Sequence, residues 1–289
     1  MQPDSIVDNK TENRTLNKYN QKIIMKAKKN LYLALILFAV VFTSCDKDNK
    51  NSTVQLLGTI SVNGKLRTKF EYDEQYRISK VINYDEFTGK NISYTQTYGY
   101  DSDGDLVSIY YDFSENEMYE NIDANYLIFI PKPIENKITT NGQTIELNEQ
   151  GLPLKTETFI EYEHNNTTHS YSWTYEYENG NIKKITYVSV RTGYEPWRVV
   201  YNNLTFDDKK TPFHNCNTPK WSLVLDFGSV QNNVLSLKTT NSNYPDEELP
   251  ISYYTYTYDN AGFPKTMKTE SSNPNIEWAE ERIYTYIKM

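Results

Sequence analysis

The stretch YDNAGFPKTM at residues 258–267 contains an element that recurs along the chain: a tyrosine or leucine, an aspartate, glutamate or asparagine, and then a glycine. Related strings are YDSDGDLVSI at 100–109, LNEQGLPLKT at 147–156 and YENGNIKKI at 177–185. The acidic or amide side chain can hydrogen-bond to its own turn, and glycine adopts the left-handed backbone conformation that such turns require. Each string therefore predicts a strand, a turn and a returning strand.

Apolar and polar residues alternate between these turns. In YSWTYEY at 171–177, the four aromatic residues fall on one face of an extended strand, and serine, threonine and glutamate fall on the other. YTQTYGY at 94–100 and SYYTYTY at 252–258 show the same period of two. This period is typical of antiparallel strands with one covered face and one wet face. Tyrosine suits such strands because its ring packs on the sheet while its polar hydroxyl group can lie at the boundary between core and water.

The turn signals define the fold class. Asn-Gly pairs at 63–64, 141–142 and 179–180 supply the two positive φ angles of a two-residue hairpin turn. The runs between turns give about 12–14 strands, and the turn strings recur roughly every 28–30 residues. We therefore predict a soluble all-β fold: an antiparallel up-and-down meander, strongly curved or barrel-like, forming a single repeat domain over residues 54–289.

Three segments precede this domain. Residues 25–44 have the anatomy of a secretory signal, since three lysines are followed by a 12-residue apolar run, Leu31–Phe42, which is too short to span a membrane. Residues 1–24 are polar and stand before this signal. We predict that they are a misassigned upstream extension and that translation begins at Met25. Residues 45–53 are then the first cysteine and a polar tether.

The string FTSC at 42–45 resembles the lipobox of bacterial lipoproteins, in the relaxed form found in Bacteroidota. The resemblance implies cleavage after Ser44, a lipid on Cys45 and an outer-membrane protein that faces the periplasm or the cell surface. The alternative is that the apolar run is a buried helix of the mature fold. With Cys45 lipidated, Cys216 has no cysteine partner, so we expect no disulfide framework.

Two further resemblances concern the repeat strings. Tyr-Asp-x-x-Gly-x-Leu at 100–106 is similar to the tyrosine–aspartate repeats of Rhs-type proteins. Gly-Leu-Pro at 151–153, Gly-Phe-Pro at 262–264 and FDDKKTPF at 206–213 resemble a family of Bacteroidota lipoproteins of unknown function with a porin-like fold. This resemblance implies a curved or closed antiparallel sheet, and it implies no activity. Because charged residues lie on the strand faces and the mean hydropathy is −0.72, we expect a barrel outside the membrane.

The charge of the chain argues against two classes of partner. The net charge is −8, and residues 1–45 contribute +4, so residues 46–289 carry −12. An acidic body disfavours binding to nucleic acid and to anionic lipid headgroups. We therefore predict contact with the membrane through the lipid anchor only.

The candidate metal sites are an acidic turn, the pair His164 and His169, and the pair His214 and Cys216. Asp101, Asp103 and Asp105 alternate in one turn and Asp112 follows, which partly matches a calcium loop, although the glycine stands at position 4 rather than 6. An acid-rich repeat turn is the interpretation that we prefer.

The histidine pairs match a metal site less well. His164 and His169 fall on opposite faces of a strand. His214 and Cys216 offer two ligands, where a structural zinc site needs four. We therefore predict no metal and no cofactor.

The aromatic residues are the remaining functional signal. Trp173, Trp197, Trp221 and Trp278, together with the tyrosine rows, could stack on sugar rings or anchor a protein partner, or could fill the covered face of the sheet. The chain has no phosphate loop, nucleophile elbow or zinc-protease motif. We predict no catalytic residue, and a non-catalytic binding or structural lipoprotein of the cell envelope. The alternative is a glycan-active or glycan-binding surface protein that uses the concave aromatic face.

Overall fold

Sixteen antiparallel strands and one short helix make up the described part of the computed structural model, which covers residues 53–113, 125–140, 142–162, 167–228, 230–242, 249–273 and 279–289. The strands are β1 (Gln55–Val62), β2 (Lys65–Tyr72), β3 (Ile78–Tyr84), β4 (Ile92–Tyr100), β5 (Leu106–Asp112), β6 (Tyr126–Phe129), β7 (Lys137–Thr140), β8 (Gln143–Leu147), β9 (Pro153–Tyr162), β10 (Thr167–Glu178), β11 (Asn181–Arg191), β12 (Trp197–Phe206), β13 (Val234–Asn241), β14 (Ile251–Tyr258), β15 (Pro264–Ser271) and β16 (Glu281–Lys288). The helix is α1 (Lys220–Phe227), between β12 and β13.

The strands form one continuous sheet that curves into a nearly closed barrel. Each strand pairs with its neighbours in the chain, except that β6 and β7 do not pair with each other. Since β1 also pairs with β16, the two edges of the sheet are β6 and β7. Across this gap the hydroxyl group of Thr140 donates a hydrogen bond to the carbonyl oxygen of Phe129, at 2.5 Å. The predicted all-β antiparallel meander is confirmed. The structure has 16 strands rather than 12 to 14, because β6 and β7 have only four residues each and are too short to show an alternating pattern.

Four turns share one hydrogen-bond pattern, and three of them lie in the strings at 100–109, 147–156 and 258–267. The string at 177–185 instead has a two-residue turn at Asn179 and Gly180, both with positive φ. In the turn at 101–105, the N–H of Asp101 donates to the carbonyl oxygen of Asp105 and the N–H of Gly104 donates to that of Asp101. The carboxylate of Asp101 accepts hydrogen bonds from the N–H groups of Asp103 and Asp105, both at 3.0 Å. The same pattern recurs in the turns at 73–77, 148–152 and 259–263.

Tyrosine hydroxyl groups complete this arrangement at the β-bulges. The register between β2 and β3 shifts next to the pair formed by Tyr72 and Ile78. The hydroxyl group of Tyr100 donates to the carbonyl oxygen of Ile78 at 2.9 Å, beside this bulge. Equivalent bonds to carbonyl oxygens beside other bulges are donated by Tyr72, Tyr177 and Tyr286. The polar end of tyrosine therefore satisfies backbone acceptors that the regular ladder leaves unpaired.

We predict that the turn aspartates make the barrel sensitive to acid. Burial opposes ionisation of Asp73 and Asp259, but hydrogen bonds from Arg77 to Asp73, from Gln55 to Asp259 and from turn N–H groups to both hold each pKa below its usual 3.8. A carboxyl group whose pKa is lowered by folding stabilises the native state above its unfolded pKa, and this stabilisation is lost as the pH falls through the folded value. The midpoint of thermal unfolding should therefore drop steeply below about pH 4.

The double variant Asp73→Asn with Asp259→Asn is the matched control for this titration. An asparagine can accept the same N–H bonds without titrating, and Asn148 already does so in the turn at 148–152. The variant should lose less of its thermal stability between pH 5 and pH 2.5 than the wild type. Equal losses for the two proteins would show that these carboxylates do not cause the acid sensitivity.

The two ends of the barrel differ. The repeat turns and the connection that carries α1 all lie at one end, which we call the turn end; the opposite end is the loop end. Both ends of the described chain lie at the turn end, where the N–H of Val54 donates to the carbonyl oxygen of Met289 at 2.9 Å. In the described part of the chain, no helix is long and apolar enough to cross a membrane.

Candidate functional site in the barrel lumen

The connection between β12 and β13 enters the barrel from the turn end and fills part of its interior. In this connection the rings of Phe213 and Phe227 pack against the ring of Phe70 in β2. Their centroids lie 5.3 and 5.4 Å, respectively, from the centroid of the Phe70 ring. The hydroxyl group of Thr218 accepts a hydrogen bond from the N–H of Ile78 at 2.8 Å and lies 3.2 Å from that of Tyr100. We call residues 211–228 the plug.

Helix α1 is the part of the plug that reaches the middle of the lumen. Pro219 precedes its first turn, and Gly228, with φ of 63°, ends it in the left-handed conformation. Ser222, Leu223 and Val224 are buried against the barrel wall and the rest of the plug. An isolated helix of this length is marginal in water, so packing inside the barrel holds it.

Several cavities border α1, and two of them have Asp226 in their lining. The larger of these two, of about 500 Å³, lies between the helix and strands β5 to β11, and the smaller, of about 350 Å³, lies toward β14, β15 and β16. The larger cavity is lined mainly by apolar and aromatic side chains, among them those of Ile109, Ile128, Ile145, Ile185, Trp173 and Trp221. The apolar lining and the volume are those of a pocket for a small organic molecule.

Two aromatic walls line the loop-end half of the lumen. The first consists of Tyr94, Tyr111, Phe113 and Tyr126, in which the rings of Tyr111 and Tyr126 stack with centroids 4.6 Å apart. The second consists of His169, Tyr171, Trp173, Tyr187, Trp197 and Tyr201. In this wall the ring centroids of Trp173 and Tyr187 are 4.5 Å apart. Both walls arise from the alternation predicted from sequence, since the aromatic face of each of these strands points into the lumen.

Asp226 lies on α1 between the two cavities and borders both of them. Its Oδ2 accepts hydrogen bonds from the hydroxyl groups of Ser222, at 2.8 Å, and of Tyr98, at 3.3 Å. The barrel wall surrounds this carboxyl group and burial raises its pKa. The residue nevertheless has exposed surface, because the cavities give water access to it.

The electrostatic setting of Asp226 is unfavourable for a negative charge. The C-terminus of a helix carries partial negative charge, and the last turn of α1 contains no basic residue to offset it. Arg282 borders the smaller cavity but pairs with Glu280. Among the residues that the structure describes, Asp226 forms no ion pair. The lumen therefore presents an accessible, uncompensated carboxyl group among aromatic side chains.

The side chain of Lys132 forms ion pairs with the acidic turn at 101–105. The Nζ of Lys132 lies 3.0 Å from Asp101, 2.6 Å from Asp103 and 3.2 Å from Asp105, and hydrogen bonding to Lys132 holds the pKa of Asp101 below its usual range. Asp112 cannot join this group, because it ends β5 at the loop end whereas the other three lie at the turn end. The partial match to a calcium loop is therefore wrong for Asp112.

We predict that Lys132 prevents calcium binding at this turn. Calcium up to millimolar concentration should leave the thermal midpoint of the wild type unchanged. In Lys132→Met, three carboxylates within 4.8 Å of one another lose their counter-charge, so calcium should raise the midpoint of this variant. Lys137→Met, which removes an ion pair with Glu146 elsewhere on the surface, is the control. A calcium response in the wild type would contradict the prediction.

The remaining predicted residues lie apart. His169 of β10 contacts the hydroxyl group of Ser189 at 2.8 Å and is part of the second aromatic wall. The thiol group of Cys216 donates a hydrogen bond to Thr218, whereas His214 packs edge-on against Phe263. His214 and Cys216 also line one cavity with Lys220 and Leu223, but two ligands are fewer than the four of a structural zinc site.

The tryptophans divide between the lumen and the undescribed segments. Trp173 and Trp221 border the larger cavity, and Trp197 belongs to the second wall. Trp278, His164 and Cys45 lie outside the described residues. The sequence did not single out Asp226, although one acidic residue in the apolar string WSLVLDFG, between a proline and a glycine, was a usable signal for it.

The fold and the site together define a barrel with an internal plug and an aromatic lumen. No protein-family model matches the chain, and no curated protein does. The structure is similar to that of a porin-like protein from Bacteroides uniformis ATCC 8492, with 13% identity, 80% of this chain and 96% of that chain covered, and a TM-score of 0.32. It is also similar to that of a porin-like protein from Bacteroides vulgatus ATCC 8482, with 9% identity, 80% and 99% covered, and a TM-score of 0.44. The porin-like lipoprotein family and the Rhs-type repeats stay predictions.

Proposed function

We propose that this protein is a non-catalytic, lipid-anchored binding protein of the outer membrane, and that its ligand occupies the lumen beside α1. The observation that carries the proposal is the cavity of about 500 Å³ between the plug and the aromatic walls. A barrel that served only as a structural element would gain stability by filling this space. Instead, the inward faces of the strands place aromatic side chains next to a cavity that solvent can reach.

The anchor sets the orientation of the barrel in this proposal. Strand β1 begins at the turn end, and the tether 46–53 has eight residues, which reach at most about 26 Å when fully extended. A lipid on Cys45 would therefore keep the turn end near the membrane. The aromatic walls would then face away from it, since Tyr126 and Trp197 begin their strands at the loop end.

The lining of the cavities favours binding over glycoside hydrolysis. Most glycoside hydrolases use a pair of carboxyl groups that flank the scissile bond. Of the described residues that border the two cavities, Asp226 is the one carboxylic acid. Sugar rings could still stack on the aromatic walls. Glycan binding is therefore the second candidate function.

The test is a ligand screen on the full chain in mild detergent, with a glycan array and a thermal-shift library of small molecules. A ligand of the lumen should lose at least tenfold in affinity in Trp173→Ala. The same ligand should bind normally to Tyr253→Ala, which removes an exposed ring of β14 outside the lumen. A ligand that is indifferent to Trp173 would place binding elsewhere, and no hit in either screen would count against a binding function.

The anchor is tested separately by mass spectrometry of the protein extracted from membranes. We expect cleavage before Cys45 and a mass increase corresponding to acyl chains on that residue. Cys45→Ser should abolish both changes and release the protein from the membrane fraction. An unmodified Cys45 in the membrane-extracted protein would contradict the proposal.

A further inference from the structure

The lumen combines two features that together select a type of ligand. The first is an accessible carboxyl group without an ion-pair partner in the described part of the chain, at Asp226. The second is a set of aromatic rings on both sides of the same space, represented by Tyr111 and Trp173 in the larger cavity. Each feature attracts cations by a different physical route.

The carboxyl group of Asp226 and the C-terminus of α1 both favour a positively charged ligand. Oδ2 of Asp226 already accepts two hydrogen bonds, from Ser222 and Tyr98, and Oδ1 has no hydrogen-bond partner among the described residues. Asp226 has exposed surface and borders both cavities, so its carboxyl group is accessible from the lumen. The C-terminus of α1 adds partial negative charge at the same place. A bound cation favours the ionised form of Asp226, and in that form the carboxylate would repel an anionic ligand.

The aromatic rings favour a positive charge as well. The faces of tryptophan and tyrosine attract ammonium and guanidinium groups, and more strongly where water is displaced. The aliphatic part of the lining, such as Ile128 and Ile145, offers nothing polar to a sugar hydroxyl group but covers an apolar ligand body. The two parts of the lining match a molecule with a charged end and an apolar end.

Resting on the proposed binding function, we propose that the lumen takes an organic monocation: a primary amine or quaternary ammonium group attached to an aromatic or aliphatic body. The ammonium group pairs with Oδ1 of Asp226 at the C-terminus of α1. The body of the ligand lies in the larger cavity against Trp173. Binding thereby supplies the counter-charge that the lumen lacks.

The experiment compares tryptamine with tryptophol by isothermal calorimetry on the full chain in mild detergent at pH 7.5. The two probes share an indole ring and a two-carbon chain and differ in the ammonium and hydroxyl groups. We expect tryptamine to bind at least tenfold more tightly. In Asp226→Asn, which can still accept the bonds from Ser222 and Tyr98, the preference should fall to below threefold.

Glu157→Gln is the matched control, because it removes the same charge from the outer face of the barrel, where Glu157 pairs with Lys155. It should leave the preference for tryptamine intact. Equal binding of the two probes by the wild type would overturn the cation assignment while leaving the binding function in place. If neither probe binds and the ligand screen also fails, the binding function itself is overturned.

Discussion

Replacing Phe70 by alanine should lower the free energy of unfolding by about 3 to 5 kcal/mol, the usual cost of removing a large aromatic side chain from a core. Phe70 is only 2% exposed. Its ring packs edge-on against both Phe213 and Phe227, which belong to different parts of the plug. The variant therefore removes the contact that joins the barrel wall to both ends of the plug.

The effect should be measured by urea unfolding followed by circular dichroism. Phe87→Ala is the matched control, since the same side chain is removed from a turn where it is 74% exposed. The control should change stability by no more than about 0.5 kcal/mol. A loss below about 1 kcal/mol for Phe70→Ala would mean that the plug does not pack against β2.

Replacing Thr218 by valine should cost about 1 to 3 kcal/mol, although the side chain keeps its shape. Thr218 is only 3% exposed and Ile78 is fully buried. The hydroxyl group of Thr218 accepts a hydrogen bond from the N–H of Ile78. Valine leaves that N–H group without a partner, and it also removes a contact with the hydroxyl group of Tyr100. A buried donor without an acceptor bears its full desolvation cost.

Thr218→Ser distinguishes this hydrogen bond from simple packing. Serine keeps the hydroxyl group and loses a methyl group, so its loss of stability should be smaller than that of the valine variant. Urea midpoints of the two variants give the comparison directly. If the serine variant is the less stable of the two, the methyl group rather than the hydrogen bond explains the role of Thr218.

The sequence predicted the parts of the fold that depend on local pattern. The inward face of β4 and β10 follows from a period of two, and the turn at 101–105 follows from aspartate and glycine chemistry. Both are properties of a few consecutive residues. For the tyrosines at the strand ends the sequence predicts packing on the sheet, and the structure adds the hydrogen bonds from Tyr100 and Tyr177 to carbonyl oxygens beside bulges.

The plug could not be predicted in the same way. The plug, residues 211–228, has no regular alternation of apolar and polar residues, because its side chains contact distant strands: Thr218 bonds to Ile78, 140 positions away in the chain. A helix of eight residues is also too short for a convincing periodic signal. The same distinction between local pattern and distant contacts applies to the candidate site. The aromatic walls were foreseeable from alternation, but the position of Asp226 in the lumen depends on where the plug lies.

The central claim is that α1 lies inside the barrel and forms part of the ligand site. Amide hydrogen exchange of the full chain, followed by mass spectrometry on the peptides that cover Lys220–Phe227, tests it most directly. We predict that the N–H groups of Leu223 and Val224 are protected to a degree similar to those of central strand β3, because global opening is needed to expose them. Complete exchange of this segment within seconds, while β3 stays protected, would show that the helix is not held in the lumen and would contradict the account.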